Sequence, residues 1–199
     1  VTEPFGDAAL RITLPPGTPP GLALAGLRAV PGIVDAVVAE GFAVVTFEPG
    51  RPPPATGALE ALAGALHEAP ASRTHSVRVV YDGADLDLVA SRAGLTVAQV
   101  VELHASAVYE VAAVGFLPGF AYLGGLDPRL VGPRRSEPRA RVPAGSVAVA
   151  GPYTGVYPFA SPGGWNVIGR AVGFVPFSTA SGAALAVGDR VRFVAAAGE

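Results

Sequence analysis

The sequence predicts an α+β protein in two parts, a small ferredoxin-like α/β domain followed by a β-barrel domain. Three observations lead there. Within the first 70 residues, segments of strand and helix character follow the order strand, helix, strand, strand, helix, which suggests a ferredoxin-like half. Beyond about residue 107, short β-type runs alternate with Pro/Gly turns, the texture of a small barrel with long loops. Residues 69–74 between them are small or polar and include Pro70, which sets the boundary at 1–72 and 73–199.

Each element has a local reason. Ala8 to Leu14 has strand character and is closed by Pro15-Pro16-Gly17. Leu22, Leu24, Leu27 and Val30 recur at roughly helical spacing between prolines. Ile33–Val38 and Phe42–Phe47 are rich in β-branched and aromatic residues around Ala39-Glu40-Gly41, a hairpin signal. Leu59, Leu62, Ala63 and Leu66 form a helical stripe. Ser76–Tyr81 reads as the next strand, and two short helices follow it. Asp82 or a neighbour caps the first, which carries Leu86, Val89 and Ala90 and stops at Gly94. Thr96 caps the second, with Gln99 at capping-box spacing and Val97, Val100 and Val101 on its apolar face. The barrel strands are expected at Val108–Val114, Val147–Ala150, Trp165–Ile168 and Val191–Val194.

Composition narrows the chemistry. Half of the 199 residues are hydrophobic and 15% are charged, with a formal net charge of −2, which points away from nucleic acid and membrane surfaces. All 14 basic residues are Arg, so lysine Schiff bases, a P-loop lysine and Ser–Lys dyads are excluded. The absence of Cys excludes thiolate nucleophiles and disulfides. The three histidines, His67, His75 and His104, lack metal-ligand spacing, so no metal site is expected. The opening residues carry Glu3 and Asp7 and lack a basic start followed by an apolar run; a soluble, cytoplasmic chain is the expectation.

The stretch from Gly115 to Arg170 is distinctive: Gly115-Phe-Leu-Pro-Gly-Phe120, Tyr122-Leu-Gly-Gly-Leu-Asp127, Pro133-Arg-Arg135, Arg141-Val-Pro-Ala-Gly-Ser146, Thr154-Gly-Val-Tyr-Pro158, Ser161-Pro-Gly-Gly-Trp165 and Ile168-Gly-Arg170. With Phe5-Gly-Asp-Ala, Tyr81-Asp-Gly, Gly94-Leu, His104 and Gly188-Asp-Arg-Val-Arg-Phe193 it closely resembles the family that groups the B-type subunit of 5-oxoprolinase, allophanate hydrolase subunit 1 and the kinase inhibitor KipI, of carboxyltransferase C/D type. The resemblance implies a ferredoxin-like domain and then a cyclophilin-like β-barrel. It implies a larger partner subunit of related barrel architecture and a third subunit of the lactam-utilisation family. The implied activity is ATP-dependent opening of 5-oxoproline to glutamate, with ATP bound by the assembled complex. The alternatives are allophanate hydrolysis in urea degradation and non-catalytic inhibition of a sensor histidine kinase. A stand-alone prolyl isomerase follows from barrel type only, and fold does not fix function. The chain departs from the family at Tyr153, where a Gln is common, and at Phe174–Phe177, which replaces a Leu-Phe-Asp segment.

The candidate catalytic residues are His104, Arg134 and Arg135. His104 shares the helix face of Val97 and Val101, so it points inward, either as a satisfied structural histidine or as a pocket base. Arg134 and Arg135 lie in a polar loop, and one of them is expected to clamp a carboxylate or phosphate. The candidate substrate-binding residues are Phe116, Pro118, Gly119 and Phe120 on a type II turn, Pro143, Gly145 and Ser146 on a second turn, and Trp165 with Asn166. His104 is expected to face a cavity bounded by the two turns. Ser146 lies outside any nucleophile elbow and reads as structural or as a ligand hydrogen bond.

Overall fold

A computed structural model describes residues 1–39, 41–51 and 72–198. The stripe expected at Leu59–Leu66, with Glu40, His67 and Pro70, lies outside the described residues. The chain divides into two compact units, Val1–Ser72 and Arg73–Glu199.

The first unit is a four-stranded antiparallel sheet with one described helix. Its elements are β1 (Thr2–Pro4), β2 (Ala9–Thr13), α1 (Pro20–Arg28), β3 (Ile33–Ala39) and β4 (Phe42–Phe47). The order is β1-β2-β4-β3, so β4 lies between the two strands that α1 connects, as the ferredoxin-like reading requires. Pro20 opens α1, where its missing N–H costs nothing. Leu10, Ile12, Ala36, Val38, Ala43 and Val45 alternate inward and bury against Ala23 and Leu27 of α1. The short β1 carries no sequence signal of its own; it pairs with β2 in the register Glu3 to Arg11, with an ion pair at 3.0 Å.

The second unit is a closed seven-stranded barrel, ordered β10-β7-β6-β15-β5-β12-β9. These strands are β5 (Thr74–Val80), β6 (Val108–Val114), β7 (Ala121–Gly124), β9 (Ser146–Ala150), β10 (Tyr153–Val156), β12 (Asn166–Val172) and β15 (Arg190–Ala195). A two-stranded flap of β8 (Arg139–Val142) and β11 (Ser161–Gly163) stands beside them, and β13 (Phe177–Ser178) pairs with β14 (Gly182–Ala183). All barrel pairings are antiparallel except β5 with β15. Two helices separate β5 from β6. The first, α2 (Leu86–Ala93), ends at Gly94 in the left-handed conformation, φ 66°. The second, α3 (Val97–Ser106), carries the complete capping box of Thr96 and Gln99. Val77, Val79, Tyr109, Val111, Leu123, Val147, Val149, Val191 and Phe193 form one core with the helical residues Val89 and Val100.

Strand β9 is buried on both faces. Val147 and Val149 belong to the barrel core, while Ala148 and Ala150 lie under a second cluster of Phe120, Val142, Tyr157 and Trp165. Small residues on that face leave room for rings above them. The site is built there.

Candidate functional site

The aromatic cluster on the outer face of β7, β9 and β10 borders a cavity of about 220 Å³. Phe116, Phe120, Tyr122, Tyr157 and Trp165 form its wall; Arg134, Pro138, Pro162, Gly163 and Gly164 form the rest of its lining. Phe120 is the hub. Its ring meets Tyr122, Trp165, Tyr157 and Phe116 edge-to-face at 5.1, 5.3, 5.4 and 5.5 Å.

The first turn is built as the sequence predicts. Phe120 N–H donates to the Leu117 carbonyl at 3.0 Å, and Gly119 takes φ 78° behind Pro118, which makes a type II turn. A Cβ on Gly119 would come within 2.6 Å of the Phe177 Cβ, so the turn requires glycine twice over. Pro118 and Gly119 shape the wall without lining it. Phe116 holds φ 71°, the one positive-φ residue other than glycine among the described residues, and the residue is 59% exposed at the rim.

Tyr157 is 1% exposed, and its phenol is pushed up by burial, so it stays neutral. The Trp165 backbone N–H donates to it, and the nearby positive charge of Arg134 pulls the other way. Gly163 lies so close to the Tyr157 hydroxyl that no side chain fits there. Trp165, 5% exposed, is at once a cluster residue and a wall of the cavity.

Arg134 reaches the cavity and Arg135 does not. Arg135 Nη1 donates to Asp85 at 2.9 Å, and Arg139 donates to both oxygens of the same carboxylate at 2.7 and 2.8 Å. Burial pushes the Asp85 carboxyl up, but the bonds from Arg139 and Val167 N–H and the two arginine charges outweigh it and hold it below the usual range. Among the described residues no carboxylate pairs with Arg134.

Other expected site residues are placed elsewhere. His104 is fully buried, with Nδ1 2.8 Å from the Tyr81 hydroxyl, Nε2 2.8 Å from Thr154 Oγ1, and Phe193 stacked at 4.6 Å. It does not line the cavity, contrary to the expectation, because helix phase turns it into the barrel and the cavity lies outside the wall. Burial presses its pKa down to about 3. Pro143, Gly145 and Ser146 form a turn that is also absent from the lining: Gly145 N–H bonds the Tyr157 carbonyl at 2.7 Å, and the Ser146 carbonyl accepts from Tyr157 N–H at 2.9 Å. Asn166 Nδ2 donates to the Pro133 and Val149 carbonyls, so it supports the Arg134 loop instead of facing a substrate.

The sequence reading did not single out Tyr157, Asp85 or the Pro162–Gly164 strip. Tyr157 sits inside the motif Thr154–Pro158, and that membership was its one signal; Asp85 has none, since its partners lie 50 to 82 residues away. The cavity is smaller than the roughly 300–1,000 Å³ typical of drug-sized ligands. Its aromatic wall and single guanidinium suit a compact, largely apolar body bearing one carboxylate. None of its lining residues is a carboxylic acid, a histidine or an aliphatic alcohol; its ionisable groups are the Arg134 guanidinium and the phenols of Tyr122 and Tyr157. Among the described residues no cluster of three His, Asp or Glu is arranged to hold a metal ion. No described helix is long and apolar enough to cross a membrane.

A family model described as the carboxyltransferase domain, subdomain C and D, matches residues 22–181. The chain is similar to the B-type subunit of 5-oxoprolinase from Escherichia coli, 51% identical over 129 residues, which cover 63% of this chain and 59% of that protein. The corresponding 5-oxoprolinase subunits of Bacillus subtilis and Haemophilus influenzae are 48% and 42% identical, covering 44% and 59% of this chain and 37% and 57% of theirs. The matches thus span about half the length of these relatives. Of solved structures, TTHA0988 is 40% identical with a TM-score of 0.80, over 96% of this chain and 40% of that one. The conserved uncharacterized protein PH0987 from Pyrococcus horikoshii is 32% identical with a TM-score of 0.59, over 98% of this chain and 97% of its own. The Kluyveromyces lactis urea carboxylase shares the fold, TM-score 0.77 at 16% identity, over 98% of this chain and 22% of that one.

Proposed function

The chain belongs to the family of the carboxyltransferase domain, subdomain C and D, and on that premise we propose that it serves as the B-type subunit of an ATP-dependent 5-oxoprolinase. The cavity carries the reading. The five-membered lactam of 5-oxoproline packs against Phe120 and Trp165, and its carboxylate meets Arg134 in a charge-assisted bond. The name shared by the three curated relatives favours this substrate over allophanate.

Lactam opening is slow because amide resonance must be broken. Transfer of the ATP γ-phosphoryl group to the amide oxygen releases ADP and makes the ring carbon electrophilic; water adds there, the ring C–N bond breaks to free the amine, and phosphate leaves to give glutamate. This chain's share is binding. The aromatic wall excludes water from the ring, and Arg134 fixes the carboxylate end so that the amide end points out of the cavity. The acid–base and phosphate-holding groups come from a larger partner subunit and a lactam-utilisation subunit, since this cavity has no carboxylic acid or histidine and its one guanidinium is taken by the substrate carboxylate.

The test is co-expression of the three subunits and an assay of ATP-dependent glutamate release from 5-oxoproline. Activity should require this chain, and Arg134→Ala should raise KM by roughly 10–100-fold, the range for losing a charge-assisted contact. Full turnover without this chain, or an unchanged KM in the variant, sinks the proposal.

A further inference from the structure

The loop that brings Arg134 to the cavity is anchored on both sides of that residue. On one side, Gly151 N–H bonds the Gly132 carbonyl at 2.7 Å, and Asn166 bonds the Pro133 carbonyl at 2.9 Å. On the other, Arg135 N–H bonds the Gly164 carbonyl at 2.8 Å, and the side chains of Arg135 and Arg139 close on Asp85. The Asp85 side chain is 3% exposed. It occupies the N-cap position of α2, where its carbonyl accepts from Val89 N–H at 2.9 Å, but its side chain makes no capping bond; one carboxylate oxygen accepts instead from Val167 N–H at 2.7 Å, on β12. Its own N–H donates to the Val167 carbonyl at 2.9 Å, so the carboxylate is fixed to the barrel wall before it meets either arginine.

We infer that Asp85 is a positioning residue for Arg134: by taking up Arg135 and Arg139 it locks the 133–139 loop and leaves one guanidinium of the three to meet the ligand. The physical logic is charge allocation. Three arginines lie within six residues, and a loop free to move would offer any of them, or several, to an anion. A buried carboxylate bonded to two of them removes both the disorder and the ambiguity. The inference rests on reading Arg134 as the ligand's cation, and it adds a residue that does not touch the cavity.

Two measurements on the intact chain separate the inference from that reading. The first is limited trypsin digestion with mass-spectrometric mapping. Asp85→Asn should be cut after Arg134 or Arg135 at least about tenfold faster than the parent, as expected when anchoring worth a tenfold population shift is lost. The second uses Trp165, the single tryptophan, whose position on the cavity wall makes its fluorescence a reporter of 5-oxoproline binding. Asp85→Asn should weaken the titration about tenfold, and Arg134→Ala should abolish it. Arg135→Gln removes one arm of the clamp and leaves Asp85 bonded to Arg139 and Val167; since it also removes the trypsin site after residue 135, it should be intermediate in affinity and in cleavage after Arg134, and it decides the matter if Asp85→Asn does not fold. A folded Asp85→Asn that matches the parent in cleavage rate and affinity overturns the inference. A parent chain indifferent to 5-oxoproline overturns the ligand reading instead, and the cleavage rates alone then decide whether Asp85 holds the loop.

Discussion

His104 Nε2 meets Thr154 Oγ1 at 2.8 Å, and that bond fixes the histidine on the inside of the barrel wall whose outside carries the aromatic cavity. Thr154 and Tyr153 are neighbours on β10 and face opposite ways. The threonine bonds His104, while the Tyr153 ring meets Tyr122 at 5.8 Å. The hydrogen bonds also set the proton positions. Thr154 Oγ1 donates to the Ala148 carbonyl at 3.1 Å, so it accepts from Nε2–H; Nδ1 then accepts from Tyr81, whose phenol burial keeps protonated. His104 is therefore a neutral link with both nitrogens in use.

The first prediction follows from that neutrality. The folded-state pKa near 3 lies below the ordinary 6.5, so between those values the unfolded chain binds the extra proton. The contribution is fully present above pH 6.5 and is lost as pH falls toward 3. Urea unfolding should show stability dropping by about 1.4 kcal/mol per pH unit from this group below pH 6. His104→Asn should lose that slope and cost about 1–3 kcal/mol at pH 7 through unsatisfied partners, with no change in 5-oxoproline affinity. A variant with the parent's pH slope contradicts the assignment.

A second prediction concerns Gly163, where a methyl group would collide with the Tyr157 hydroxyl. Gly163→Ala must displace either the flap strand β11 or the Tyr157 ring, and both border the cavity. The Trp165 emission of the free chain should shift and 5-oxoproline binding should weaken by about tenfold or more, while far-UV circular dichroism stays unchanged. Unaltered emission and affinity would mean that the flap yields freely.

Phe116 supplies a third. Its left-handed backbone conformation costs a residue with a side chain about 1 kcal/mol or more, and the ring, largely exposed, returns little by burial. Phe116→Gly should hold or raise the melting temperature yet weaken ligand binding, because the rim ring over Phe120 is gone. A clear loss of stability would show that the ring's packing outweighs the strain.

Local chemistry was legible in the sequence and three-dimensional allocation was not. The turn at Leu117–Phe120, the Thr96–Gln99 capping box and the stop at Gly94 are each set by residues two to four apart, and each forms as expected. Strands such as β7 and β10 are four residues long, too short for a period to register. Helix phase gave the inward direction of His104 but not the side of the wall on which the cavity forms; that depends on which face of β10 carries Thr154. The adjacent Arg134 and Arg135 are equivalent in sequence, and only Asp85, 50 residues upstream of Arg135, tells them apart.

The last prediction tests how the barrel closes. Its first and last strands, β5 and β15, pair in parallel from Thr74–Arg190 to Val79–Ala195, and parallel ends need a clamp because no hairpin joins them. Asp189 provides it. Its carboxylate accepts from Arg73 N–H, His75 Nε2 and Ala186 N–H, each at 3.0 Å. Burial pushes this carboxyl up, but the two backbone bonds and His75 outweigh it and hold it below its ordinary range. A depressed carboxylate contributes stability above its unfolded pKa and loses it as pH falls through the folded value, so the clamp should hold at neutral pH and open in acid. Asp189→Asn keeps the shape but has one acceptor oxygen for three donors, and it should destabilise the barrel by about 1–3 kcal/mol at pH 7. The deficit should shrink as pH falls below the ordinary carboxyl value of 3.8 and on through the depressed folded one, where the parent loses the same charge. Hydrogen exchange should locate the damage at the Arg73 and Ala186 amides; an equal deficit at pH 3 and pH 7 would assign the loss to packing and remove the clamp from the account.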